Sequence, residues 1–239
     1  MSYRVILGGY AAIGGLLCIL FAKLSPGVEA TKPKTERTGR FGLHRSQKVV
    51  MRLSALFTLD AFAGGFIIQS IIAYWFHVRF GADLSTLGSI FFGANLLAAI
   101  SALASAKVAK RIGLVNTMVF THLPSNVLLI LIPFMPTLPL AAALLLLRFT
   151  ISQMDVAPRQ AYTMAVVAPD ERSAAAGITG IARTIGAGIS PAIAGVLLSH
   201  PALLGTPFAL GGVLKVVYDL LLYRSFRRYT PPEGGGCNR

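Results

Sequence analysis

Apolar and polar positions along the chain alternate in long blocks. Seven apolar stretches, at residues 5–24, 53–76, 86–106, 114–134, 140–162, 174–198 and 208–223, are separated by polar connections. Each holds about twenty residues, enough for a helix to cross a ~30 Å hydrocarbon core. The pattern predicts an all-α polytopic membrane helix bundle of about seven transmembrane helices. The connections are unequal: about 28 residues follow the first block, and five to eleven separate the others. The long connection is basic and broken by Pro26, Gly27, Pro33, Gly39 and Gly42, which reads as a linker. The expected organisation is therefore a helix at 1–24, a linker at 25–52, a six-helix bundle at 53–229 and a tail at 230–239.

Composition agrees. At 54% hydrophobic and 13% charged residues, with a mean hydropathy of +0.67, a soluble domain would lack the polar surface to stay dissolved. The net charge of +13 raises nucleic acid as a partner, but the positions of the charges point to topology instead. Sixteen of the 22 Lys and Arg fall in alternate connections: eight between Lys23 and Arg52, then Lys107, Lys110 and Arg111, then Arg172, then Arg224, Arg227, Arg228 and Arg239. The opposite side has Arg4 and Arg79. By the positive-inside rule the basic side is cytoplasmic, which puts the N-terminus outside, the C-terminus inside, and the chain in a plasma or inner membrane. Lipid is the expected partner and nucleic acid is not. Val28-Glu29-Ala30 ends loosely like a signal-peptide cleavage site, but a twenty-residue apolar region is long for one, and cleavage would export the basic linker. Cys18 and Cys237 give neither a disulfide framework nor metal spacing. No nucleophile with a base, phosphate loop or metal cluster stands out, so the expectation is a non-enzyme without cofactor or metal.

The chemistry lies inside the blocks. An ionised side chain at mid-membrane costs about 2.5 to 3.5 kcal/mol on insertion scales, so each one is a functional candidate. Seven qualify: Asp60, Arg148, Asp155, Arg159, Arg183, Lys215 and Asp219. If residues 140–162 form one continuous helix, Arg148, Asp155 and Arg159 fall within about 40° on its wheel and line one stripe. Asp155 and Arg159 can also pair at i,i+4, and Pro158 can bend the helix. Asp60 is the foremost candidate for a proton-coupling carboxylate, because burial and a cation such as Arg183 act on its protonation in opposite senses. Lys215 and Asp219 stand one turn apart, as do His122 and Asn126, and Asn95 sits mid-depth in the third block; such polar groups serve as interhelical hydrogen bonds or as ligands. Ala176, Gly180, Thr184, Gly188 and Ala192 recur every fourth position and read as a close-packing seam. Tyr74, Trp75 and Phe76, with Tyr218, Tyr223, Phe226 and Tyr229, read as interfacial aromatic belts.

One helix, a long basic linker and six tightly connected helices suggest the latter part of something larger. Between the third and fourth blocks, Ala106-Lys107-Val108-Ala109-Lys110-Arg111-Ile112-Gly113 is a short basic turn. After the fifth, Tyr162 is followed by Pro169, Arg172 and Ser173. The layout and both segments resemble the major facilitator superfamily, whose twelve helices form two six-helix halves joined by a long cytoplasmic loop. The first segment resembles the family's small residue followed by Asp-Arg-x-Gly-Arg: Arg111 and Gly113 match, while Lys110 replaces the aspartate and Leu114 the second arginine. The second resembles its Tyr-x-x-Glu…Pro-x-x-x-Arg-Gly exit, with Arg172 in place, Ala165 for the acid, the proline one position late and Ser173 for glycine. The resemblance implies a secondary transporter that moves a small solute by alternating access, with protons as a coupling ion. In that register residues 53–229 are the C-terminal half and 5–24 the last helix of an N-terminal half, the remainder being absent or supplied by a partner chain. Two alternatives stay open: a remnant that transports nothing, and a seven-helix receptor or retinal protein with Lys215 as its Schiff-base lysine.

Overall fold

The computed structural model describes residues 3–24 and 42–227. The chain falls into two compact units, Met1–Glu36 and Arg37–Arg239. The first contains α1 (Tyr3–Ala22), whose only charged residue is Arg4. Its twenty residues rise ~30 Å, the thickness of a hydrocarbon core.

The second unit is built from α2 (Gln47–Gly65), α3 (Gln69–Phe80), α4 (Leu84–Ile112), α5 (Leu114–Leu131), α6 (Leu138–Phe149), α7 (Val156–Ala165), α8 (Arg172–Leu198) and α9 (Thr206–Phe226). The described residues are helices and turns throughout, so the fold is all-α. Five runs are long and apolar enough to cross a membrane: Gln47–Phe80, Leu84–Ile112, Leu114–Phe134, Pro169–Leu198 and Pro201–Phe226. Leu7–Ala22 and Leu138–Phe149 are shorter apolar helices.

Two expected spans are interrupted. The second divides into α2 and α3 at residues 66–68, directly after Gly64 and Gly65, whose backbones gain least from helix. The fifth divides into α6 and α7 across turns at residues 150–155. Pro158 is the cause: it has no N–H, and in a continuous helix its ring would strike the carbonyl four residues back, so the helix restarts with Pro158 in the first turn of α7. Arg148, Asp155 and Arg159 therefore do not form a stripe on one helix, because the wheel assumed a continuity that Pro158 removes. α2 also begins at Gln47, inside the stretch read as linker.

The helices pack most extensively as α2 on α8 and α5 on α9, with α2 also against α9. Glycine makes the first contact possible. A Cβ on Gly186 would lie 2.5 Å from the Thr58 carbonyl oxygen, and one on Gly65 would lie 2.9 Å from that of Ala187. The buried face of α8 is Ala175, Thr179, Gly186, Ser190, Ala194 and Leu198. The expected seam of Ala176, Gly180, Thr184, Gly188 and Ala192 lies beside it and is exposed. Small residues occupy both faces of α8, and only the shape of α2 selects between them.

Two apolar clusters form the core. One gathers Trp75, Phe76, Leu87, Phe91, Leu129, Leu145 and Phe208; the other gathers Val50, Leu53, Phe57, Met118, Tyr218, Leu222 and Phe226. Four expected belt residues therefore belong to the interior. Trp75 and Phe76 are 1% and 0% exposed, with Trp75 edge-on to Phe80, and Tyr218 and Phe226 are likewise buried. Tyr74 alone of the first group is exposed, Tyr223 packs edge-on to Phe120, and Tyr229 lies outside the described residues. α4 joins α5 through Gly113 alone, at φ +88, a left-handed conformation that glycine adopts without steric cost.

Candidate functional site

Along α2 and α5 the buried Asp60 and His122 fall between residues of the two apolar clusters, and along α9 the buried Lys215 and Asp219 lie between Phe208 of one cluster and Leu222 of the other. Asp60 of α2 is their centre. Its Oδ1 accepts a hydrogen bond of 2.6 Å from Lys215 Nζ, and its Oδ2 one of 3.0 Å from Arg159 Nη1. Arg183 Nη1 stands further off, 3.8 Å from Oδ2. Arg159 Nη2 donates to Asp155, one turn back, so one guanidinium bridges two carboxylates. The same group lies over the Phe57 ring, 5.6 Å from its centroid. Four helices, α2, α7, α8 and α9, thus converge on one carboxylate.

A second network adjoins it. Asp219 Oδ1 meets His122 Nδ1 at 2.8 Å, and its Oδ2 accepts a 2.9 Å bond from Asn126 Nδ2. Lys215 and Asp219 are one turn apart on α9 yet do not pair with each other: the lysine serves α2 and the aspartate serves α5. Arg148, at the end of α6, is 6% exposed, lies over the Phe149 ring, and has no carboxylate within ion-pair distance among the described residues. Its Nε is buried without a partner. Asn95 does not join either network; it is exposed on α4 and bonds the Phe91 carbonyl of its own helix.

Two cavities open onto the Asp60 network. One of about 520 Å³ is lined by Phe57, Arg159, Gln160, Thr163, Thr179 and Arg183 among others. One of about 370 Å³ is lined by Asp60, Gly64, Gly65, Arg183, Thr184 and Lys215 among others. Arg183, its side chain 41% exposed, borders both. Among the described residues no group of His, Cys, Asp and Glu could hold a metal ion.

The basic connections hold a further device. Glu171, just before α8, is fully buried and accepts hydrogen bonds from the backbone N–H groups of His44, Arg45 and Ser46 at the start of α2. A carboxylate there takes the N–H of the Ser46 cap and of the two residues before it, and faces the positive end of that helix. Burial alone would push the carboxyl up, but the donors of Ser46, His44 and Arg45 outweigh it and hold it at about 2. The Ser46 hydroxyl in turn accepts from Ala168 N–H at 3.0 Å. Sequence reasoning missed Glu171, because its partners lie 125 to 127 residues away and an acid in a polar connection carries no local signal. Of the expected motif residues, Arg172 donates from Nε to the Met164 carbonyl at 3.0 Å, Lys110 and Arg111 are exposed at the end of α4, and Gly113 makes the tight turn.

Known proteins give this geometry a context. Residues 1–191 match the family model described as Major Facilitator Superfamily. The chain is 29% identical over 195 residues to the uncharacterized membrane protein YJR124C of Saccharomyces cerevisiae (strain ATCC 204508 / S288c), a match that covers 81% of this chain and 43% of the relative. The chain thus corresponds to less than half the length of that relative. No solved structure matches it. With most of its length matched by the family model, and with apolar helices of membrane-crossing length, the chain is an integral membrane protein that belongs to the Major Facilitator Superfamily, a family of membrane transporters.

Proposed function

We propose that the chain carries the C-terminal half of a secondary active transporter for a small solute. In this reading residues 53–229 are the six-helix half, 1–24 the last helix of the N-terminal half, 25–52 a cytoplasmic linker and 230–239 a cytoplasmic tail. The carrying observation is the buried ionic layer, in which Asp60, Asp155, Asp219, Arg159 and Lys215 lie between two apolar clusters. Each such charge burdens insertion, and a purely structural bundle would be as stable with apolar residues in their place. The two interrupted helices support the same reading. One break, at residues 66–68, follows Asp60 on the same run and the other, at 150–155, contains Asp155, and such breaks are tolerated at membrane depth where they line a cavity or site.

Within the site, Asp60, Asp155 and Asp219 are the coupling candidates, and Arg148, Arg159, Arg183, Lys215, His122 and Asn126 the solute or network candidates. Lys110, Arg111, Gly113 and Arg172 belong to the cytoplasmic face. A proton taken up by His122 and Asp219 strands no permanent cation, whereas one taken up by Asp60 leaves Lys215 and Arg159 without their shared partner. The solute site is completed by a second half, supplied by the same polypeptide or a partner, for which the exposed seam of α8 offers a close-packing surface. The basic side faces the cytoplasm of a plasma or inner membrane.

Two tests follow. In the native polypeptide that carries this sequence, Asp60→Asn or Asp155→Asn abolishes gradient-driven solute accumulation in proteoliposomes while insertion persists; unchanged coupling in both would defeat the assignment of coupling to these two residues, and unchanged coupling in Asp219→Asn as well would defeat proton coupling at this site. A cysteine at Leu84, exposed at one end of α4, labels with an impermeant maleimide from outside the cell, and one at Arg111, at the other end, does not. The reverse pattern would overturn the orientation.

A further inference from the structure

We infer that the cleft beside α2, α7 and α8 takes a small oxyanion, a carboxylate or phosphate, on the Arg183 guanidinium. The inference rests on the transporter reading above and specifies its solute. The charges of the bundle interior balance without Arg183: Arg148, Arg159 and Lys215 stand against Asp60, Asp155 and Asp219. Asp60 already accepts a hydrogen bond on each oxygen from another cation, at 2.6 Å from Lys215 and 3.0 Å from Arg159. Arg183 approaches only to 3.8 Å, beyond hydrogen-bond distance, and keeps its donors free.

Exposure separates it from the other cations. The Arg159 and Lys215 side chains are 10% and 9% exposed, and that of Arg183 is 41%. It is also the charged residue that borders both cavities, with Gln160 and Thr179 on one side and Thr184 on the other. A guanidinium presents a planar fork of donors that fits a carboxylate or phosphate with two parallel hydrogen bonds. The larger cavity is lined by Arg159 and Arg183 and, among the described residues, by no carboxylate, so a cationic solute there would be repelled while an anion is attracted.

The test is protection of Arg183 from phenylglyoxal, read by peptide mass spectrometry on the native polypeptide in lipid nanodiscs. The probes are succinate, inorganic phosphate, neutral succinamide and tetraethylammonium, and exposed Arg111 is the internal control. An anion at about ten times its Kd slows labelling of Arg183 about tenfold and leaves Arg111 unchanged, while succinamide and tetraethylammonium protect neither. Equal protection by succinamide or tetraethylammonium, or no protection by either anion, overturns the assignment. Proteoliposome uptake of the same probes separates this inference from the reading beneath it. Uptake of only the neutral or cationic probe keeps the transporter and removes the anion; protection by succinate without uptake of any probe keeps the anion site and counts against transport.

Discussion

Glu171 and Asp60 are both carboxylates withdrawn from water, and they are held by different means. Asp60 meets side-chain cations brought by three other helices, whereas Glu171 receives the backbone donors that open α2. The latter lies in the polar turn Pro169–Glu171, ahead of the apolar stretch 174–198 of α8, and its carboxyl is held at about 2, below the ordinary 4.5. A depressed folded-state value means that Glu171 contributes stability above its ordinary value and loses it as pH falls from there toward 2. Thermal melting in detergent should therefore show the native chain weakening between pH 5 and 3, while Glu171→Gln is less stable at neutral pH and changes less across that range. Glu171→Ala strands three N–H groups and costs about 2 to 4 kcal/mol at neutral pH. A neutral-pH melting point unchanged in both variants would contradict the clasp. The sequence shows why one carboxylate is legible and the other is not. Asp60, Arg159 and Lys215 stand out as charges in apolar blocks, but the pairing of Asp60 with a lysine 155 residues away is decided by the fold. Glu171 sits among polar residues, where an acid is ordinary.

At the scale of elements, apolar block length located the helices because insertion depends on summed hydrophobicity, which is additive along the chain. Interruptions were less legible. Pro158 announced one, yet the turns fell upstream of it, where its ring and missing N–H act. The face that α8 buries was not legible either, since both candidate faces are lined with small residues. Substitution by alanine tells them apart. Gly186→Ala places a methyl against the Thr58 carbonyl and Gly65→Ala one against Ser190, each costing about 1 to 3 kcal/mol. Gly180→Ala on the exposed face meets nothing within 4 Å in this chain, so within the α2–α8 contact it should be neutral, and any cost it carries in the native polypeptide belongs to the second half docked on the seam. Melting curves in which neither Gly186→Ala nor Gly65→Ala is destabilising would place the α2 contact on the wrong face.

For the whole molecule, the plan of one helix, a basic linker and six close-set helices carried more information than either partial motif. Lys110 and Leu114 depart from the family turn, and only Gly113 has a backbone requirement that explains its presence, its positive φ. The proposed solute site is less legible than the fold because its candidate residues come from several helices that meet around the buried Asp60. The decisive measurement uses Gln160→Cys, exposed at the wall of the larger cavity, in native polypeptide whose Cys18 and Cys237 are replaced by serine. An impermeant methanethiosulfonate is applied to either face of sealed proteoliposomes under a pH gradient of each polarity. Alternating access predicts labelling from both faces, with the two fractions trading as the gradient is reversed. Labelling from one face only, whichever way the gradient runs, would contradict it.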